Sequence, residues 1–382
     1  MSDLSRTATA SLLLATIALA QMAVSAEAQQ FIPDITISST VPAINGDVNP
    51  YGVAFVPSNF PKGGSIAPGD ILVSNFNDAP TSGGLQGTGT TIVQLRPNVV
   101  TPSMQASTFF TSTQIGLTTA LGVLERGFVV VGNLPNSGTS TSPVLGPGSL
   151  QFIDRNGTLL VPGVASPLID GPWDLTIDDD QVHPTVYVSN VHVQSVTPQG
   201  VTLQGTVVRL NLTLSSNSVT LSKATVIASG YTTVTDPTAF VLAPTGLAHD
   251  RETDILYVAS TADNAIFTVP GASTRSSPPT PSTGILIAMG GQLRGPLALV
   301  LAPNGDLVTS NGDAVNPDPT HPSEIVELTK NGKFVGQFNV DPAPGGAFGI
   351  GVSMIGGGDT ARLAVVDDNT NSIIVIDQSV VP

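Results

Sequence analysis

The chain contains no cysteine. Neither a disulfide nor a lipid-modified N-terminal cysteine is therefore available, and an exported fold would have to be held by its core and its topology alone. Charge is scarce as well: Asp, Glu, Lys and Arg make up 11% of the 382 residues, against roughly a quarter in average soluble proteins. What charge there is leans one way, with 28 acidic against 13 basic residues and a formal net charge of −15. Such a field repels phosphate backbones and anionic bilayers, so nucleic acid and membrane surfaces are not expected partners. Only four histidines occur, and no Ser/His/Asp arrangement is recognisable at a fixed spacing. Nor does any Gly-rich segment join a strand to a helix, as a phosphate cradle requires.

Residues 1–28 differ from the rest. Arg6 gives a weakly positive start, Ser11 to Ala20 is a short apolar run, and Ala26 and Ala28 offer small-residue cleavage sites, the pattern of a secretory signal peptide. Gln21 and Glu27 interrupt the run well before the roughly 20 residues that a membrane anchor needs. The expected organisation is a signal peptide over 1–28 and one domain over 29–382, secreted or periplasmic, without membrane insertion after cleavage. Loss of Asp3, Glu27 and Arg6 leaves the mature chain acidic. The 39 glycines and 31 prolines fit many tight turns.

Six times a small-apolar strand returns, after a short turn, through a second strand ending in a Ser, Asn or Asp-type residue. The first strands begin at Pro50-Tyr51, Thr118-Thr119, Pro172-Trp173, Pro244-Thr245, Pro296-Leu297 and Ala347-Phe348; the second end at Ser74-Asn75, Gly132-Asn133, Ser189-Asn190, Ser260-Thr261, Ser310-Asn311 and Asp367-Asp368. An internal period of about 50 residues built from β-patterned segments predicts radially stacked sheets. A third, alternating strand follows in each copy, as in Thr91–Leu95 and Glu324–Leu328, and turns such as Arg155-Asn156-Gly157 lead to a fourth, as in Thr158–Val161 and Lys333–Phe338. The chain ends after the third strand of the sixth copy, while Asp34–Ser39 is an orphan strand of the right length. The fold class expected is all-β: a six-bladed β-propeller of four-stranded antiparallel blades, its last blade closed by the N-terminal strand, as a monomer.

Pro244-Thr245-Gly246-Leu247-Ala248-His249-Asp250 followed by Ile255–Ser260 and Asp263-Asn264-Ala265-Ile266 resembles an NHL repeat, and Leu363–Ile373 is similar to its second half. The resemblance spans roughly residues 31–377, with blades one to three degenerate. It implies a six-bladed propeller, and in this family a surface that binds proteins or other polymers more often than it catalyses. A more distant similarity is to gluconolactonase/regucalcin-like propellers, which implies acidic and Asn metal ligands around the channel mouth. The positions compared here are aromatic, Thr or Leu, so no metal and no other cofactor is expected.

Antiparallel pairing puts the start of each first strand and the end of each second on one face of the disc. Tyr51, Trp173 and Phe348 form one candidate ligand-binding set, and Asn75, Asn133, Asn190, Asn311 and Asp368 another. Connections at 76–89, 134–147, 191–204 and 312–322 are long, a trait of functional loops, and emerge on that face. The bland readings are that Asn and Asp at strand ends start turns and that the aromatics plug the channel mouth. No catalytic residue is assigned. Asp178-Asp179-Asp180 and the cluster Asp313, Asn316, Asp318 and Glu324 lack the spacing of a calcium loop, and His249 reads as a satisfied core residue. The leading expectation is an exported, non-enzymatic propeller that binds a protein, glycan or small ligand on its long-loop face. The alternative is a propeller hydrolase, lactonase or lyase working at the channel mouth.

Overall fold

The computed structural model describes residues 34–97, 106–160, 164, 166–191, 202–236, 239–312, 316, 318–355 and 357–379, with only the backbone at 34 and 202–204. The expected signal segment 1–28, most of the loop 191–204 with His192, and Val161 and Asp313 lie outside them. The described chain from Asp34 onward forms one compact unit with no helix.

Six sheets form in chain order. Blade one holds β2 (Val48–Phe55), β3 (Ile71–Asn77), β4 (Thr91–Leu95) and β5 (Ser107–Thr111). Blade two holds β6 (Leu117–Leu124), β7 (Phe128–Asn133) and β8 (Ser149–Asp154). Blade three has five strands, β9 (Pro172–Asp178), β10 (Thr185–Asn190), β11 (Thr202–Leu214), the long β12 (Val219–Asp236) and β13 (Phe240–Leu242). Blade four contains β14 (Pro244–Asp250), β15 (Ile255–Ser260), β16 (Ala265–Pro270) and β17 (Ile285–Met289). Blade five contains β18 (Pro296–Leu301), β19 (Leu307–Asn311), β20 (Ser323–Leu328) and β21 (Phe334–Asp341). Blade six is built from β22 (Ala347–Ile355), β23 (Thr360–Asp367) and β24 (Ser372–Ser379), and its outer strand is β1 (Asp34–Ser39).

The ring closes as the orphan strand implies. β1 pairs antiparallel with β24 from Asp34↔Asp377 to Ser39↔Ser372. Both Thr40 N and Oγ1 donate to Asn371 O at 2.9 Å, and Asn371 Oδ1 accepts from Asn49 N at 2.7 Å. One element differs from expectation. Of the expected fourth strand of blade two, Thr158–Val161, the described residues 158–160 form no strand; Leu159 makes an isolated bridge to Ile153, and Val164 one to Leu150. Pro162 follows at once and has no N–H for a ladder.

Apolar side chains pack mostly between neighbouring blades, for example Leu72 and Phe110 against Leu121 and Val129, or Leu256 and Val258 against Val207 and Ile227. Short hydroxyls stitch the inner strands together at the axis. Ser74 Oγ accepts from Gly52 N at 3.0 Å and donates to Thr118 O of the next blade at 2.8 Å. Ser189 Oγ repeats this with Asp174 N at 3.0 Å and Thr245 O at 2.7 Å. Across the alternate boundaries threonines take over: Thr118 Oγ1 donates to Pro172 O at 2.9 Å, and Thr245 Oγ1 to Pro296 O at 3.0 Å. Inner strands approach so closely that a Cβ on Gly349 would collide with the Tyr51 carbonyl oxygen, and one on Gly246 with Leu299 N.

Candidate functional site: the two ends of the central channel

At the long-loop end the axis is shut. Tyr51, Trp173 and Phe348 do converge, and with them come Phe76 and Phe240, which the repeat did not single out. Tyr51 lies 4.7 Å from Phe348, 4.9 Å from Phe76 and, edge-on, 5.7 Å from Trp173 between ring centroids. Phe240 meets Phe76 at 5.4 Å and stacks over Trp173 at 6.5 Å. None of the five is more than 5% exposed. Offset and edge-to-face contacts are the favoured geometries of aromatic quadrupoles, so the cluster is a cohesive plug. The Trp173 indole N–H is buried without an acceptor among the described residues. Outside the plug this face offers a cavity of only about 150 Å³, walled by Asn77, Asn136, Asp236 and Phe240 among others.

The Asn ring lies directly beside the plug, and four of its members are buried. Asn190 Oδ1 accepts from Asp170 N at 3.0 Å while its Nδ2 donates to Leu168 O at 3.3 Å. Asn311 does the same with Arg294 N at 2.8 Å and Gln292 O at 2.9 Å, and also donates to the Glu324 carboxylate. Asn133 donates to Ile115 O at 3.2 Å and accepts from Ser149 N at 2.9 Å; Asn75 donates to Thr40 O at 3.1 Å. Each amide thus clamps the segment that leads into its own blade. The sixth position needs a correction by one residue. Pairing of Pro50 with Asn75, Pro172 with Asn190 and Pro296 with Asn311 is matched in blade six by Ala347 with Asp367, so Asp367 occupies the ring. Asp368 sits one place further and is half-buried, with its N–H bonded to Gly346 O at 2.9 Å.

Below the plug the channel widens into a cavity of about 380 Å³ that the inner strands of all six blades line. Val53, Leu121, Leu175, Leu247, Leu299 and Ile350 are among its lining residues, together with Thr119, Asp174, Thr176 and His249, and its exposed wall is more polar than apolar. Asp174 occupies a place where four of the other five inner strands carry Gly or Ala: Gly52, Gly246, Ala298 and Gly349. Its Oδ1 accepts from Leu175 N at 2.8 Å and its Oδ2 from Leu247 N in the next blade at 3.3 Å. Burial outweighs these hydrogen bonds and pushes the carboxyl up to about 8, so at neutral pH it is mostly protonated and offers an O–H. The mismatch of one acid in a small-residue column was readable in the sequence and was missed.

His249, 3% exposed at its side chain, lies between two carboxylates: its Nε2 is 3.2 Å from Asp254 and its Nδ1 3.7 Å from Asp178, which also pairs with Arg251 at 2.8 Å. Its ring packs on Tyr187 at 4.8 Å, whose hydroxyl burial pushes well above the usual tyrosine range. Asp179 and Asp180 form the neighbouring turn. Asp179 accepts from Gln181 N at 2.6 Å and from Glu125 N at 2.7 Å; Asp180 accepts from Val182 N at 3.0 Å and from His183 N. In the blade-five loop, Asn316 spends its amide on His321 O and Pro322 O, and Asp318 pairs with His321.

Among the described residues no three His, Asp or Glu side chains are arranged to hold a metal ion. The one carboxyl on the channel wall is mostly protonated at neutral pH and already accepts two backbone N–H bonds, so this lining does not fit a divalent cation that needs several oxygen ligands.

Solved structures share this fold. A gluconolactonase from Xanthomonas campestris superposes with a TM-score of 0.50 at 14% identity, over 90% of this chain and 89% of its own. A luciferin-regenerating enzyme does so with a TM-score of 0.51 at 9% identity, over 91% of this chain and 96% of its own. The chain has the gluconolactonase-like six-bladed propeller fold. No protein-family model matches the sequence, and no curated protein is significantly similar to it. At such identities the propeller shares architecture with these enzymes, and function has to be argued from its own channel.

Proposed function

We propose that this propeller is an exported binding protein that takes a small, uncharged organic molecule with hydrogen-bonding groups into its central channel from the inner-hairpin side. The observation that carries the reading is the cavity of about 380 Å³ with Asp174 on its wall. A concave site with a few placed polar groups is the usual make-up of a small-molecule site, and a neutral carboxyl donates a hydrogen bond without attracting cations. The aromatic plug explains the direction of entry. A second reading, a hydrolase or lyase, is favoured by the presence of Asp174 and His249 on the same cavity wall, because proton transfer uses carboxyl and imidazole groups of this kind. The export part rests on the apolar run and small-residue sites of the first 28 residues.

Trp173 is the only tryptophan and, as a member of the plug, directly precedes Asp174 in β9, so its emission reports on the channel. Titration with neutral lactones, esters and sugars should find ligands that shift this emission, and Asp174→Ala should weaken them about tenfold or more, the usual cost of a lost buried hydrogen bond. Turnover of the same ligands, lost in Asp174→Asn and in His249→Ala, would favour the second reading. Ligands that bind the Asp174→Ala protein as tightly as the parent would overturn both.

A further inference from the structure

On the inner-hairpin side, the turns of blades two and three flank a separate cavity of about 420 Å³. Arg126 and Arg155 line it, with Asp154, Asn156, Ser216 and Asn217. Both arginines are fixed. Arg126 Nε donates to Ser215 O at 3.2 Å, and Arg155 Nη1 to Lys62 O at 3.0 Å. The Arg155 stem packs over Gly64, where a Cβ would come within 2.8 Å of its Cγ, and the Arg155 carbonyl accepts from Ser65 N at 2.9 Å. A guanidinium tethered in this way loses little further freedom when its remaining N–H groups bind.

Eight of the twelve described lysines and arginines lie outside ion pairs, and Arg126 and Arg155 are the two of them that line this cavity. Arg251, Arg294, Lys330 and Arg362 each pair with an aspartate. Among the described residues, Arg126 and Arg155 have no carboxylate within ion-pair distance, and neither has Lys62 or Arg96 beside the same segment. Asp154, on the cavity wall, is committed to its own turn: Oδ1 accepts from Asn156 N and Thr158 N at 2.8 Å each, and Oδ2 from Asn156 Nδ2 at 3.3 Å. In a chain of net charge −15, cations left without anions in one cleft are a local feature and not a generally basic surface.

We propose that this cleft binds an oxyanion, either the carboxylate of a hydroxylated organic acid or a phosphate. Two guanidinium groups suit bidentate contacts to such a group, and Asn156, Ser216 and Asn217 can meet hydroxyls around it. The site is distinct from the channel and does not depend on the reading given above.

Isothermal titration of the whole mature protein at low salt, with glucuronate, inorganic phosphate and glucose as probes, tests this. Glucuronate should bind in a way that depends on Arg126 and Arg155, whereas any glucose binding, which would belong to the channel, should be the same in the arginine variants. Arg126→Gln and Arg155→Gln should each weaken binding about tenfold, the scale of a charge-assisted hydrogen bond. Arg126→Lys should fall in between, and Arg275→Gln, whose guanidinium bonds to Pro270 O elsewhere, should leave binding unchanged. Phosphate binding without glucuronate binding, again lost in the Gln variants, assigns the phosphate source. Failure of both anions at millimolar concentration, or equal affinity for the double Gln variant, overturns the proposal; the Trp173 emission titration reads the channel separately.

Discussion

Asp174 is the residue whose behaviour is least like its type. The unfolded chain releases its proton near the ordinary 3.8, whereas the folded chain keeps it to about 8. Between these values the native state holds the extra proton, so this group's contribution to stability declines as pH rises through the window and is fully present only below it. Asp174→Asn cannot ionise, and its melting temperature should therefore gain on the parent as pH goes from 5 to 9; parallel curves would show that the carboxyl is not held protonated. The Asn clamps make a second residue-level prediction. Asn190→Ala removes two bonds to the entry segment and should cost about 1–3 kcal/mol, seen as a lower urea midpoint at unchanged slope. Recurrence made the Asn ring legible, but its use was not, because the clamped carbonyls and N–H groups lie about 20 residues upstream in variable segments. The aromatics were legible as a set at the axis; that two further rings, Phe76 and Phe240, would cover them could not be read from the repeat, since one follows Asn75, where the repeat ends its second strand although β3 runs on to Asn77, and the other lies in the short extra strand β13.

Among elements, β1 has the largest leverage for its length. It covers the outer edge of blade six, and its partner Ile373 is fully buried. Deleting residues 31–41 should leave that edge open and lower the melting temperature by far more than the few degrees of a typical surface substitution. An unchanged transition would mean that ring closure contributes nothing. Most strands were legible because alternation and turn residues agree, as in β4, whose observed limits are those read from sequence. Blade two was not: Thr158–Val161 has strand-like residues, yet four residues followed by Pro162 supply too few ladder bonds. The length of β12 was also unreadable, since its Ser- and Thr-rich stretch carries no strong apolar alternation and only its partners on both sides hold it extended.

For the whole molecule, sixfold repetition made the architecture legible, and closure by the N-terminal strand followed from counting strands. The site was less so, because a channel is lined by small and aliphatic residues that look like any core. The export proposal has a mass-spectrometric test: protein recovered from its host should begin near Glu27 or Gln29, and an intact Met1 in the cytoplasm would remove it. Closure has one more consequence, and it concerns time. Ser39 and its partner Ser372 are made far apart in time, and at roughly 5–20 residues per second the first strand waits on the order of half a minute for its partner. Throughout that interval Ile35 and Ile37 belong to an unpaired segment, so the ring locks only after the final blade has emerged, and the chain must be kept from its neighbours until then.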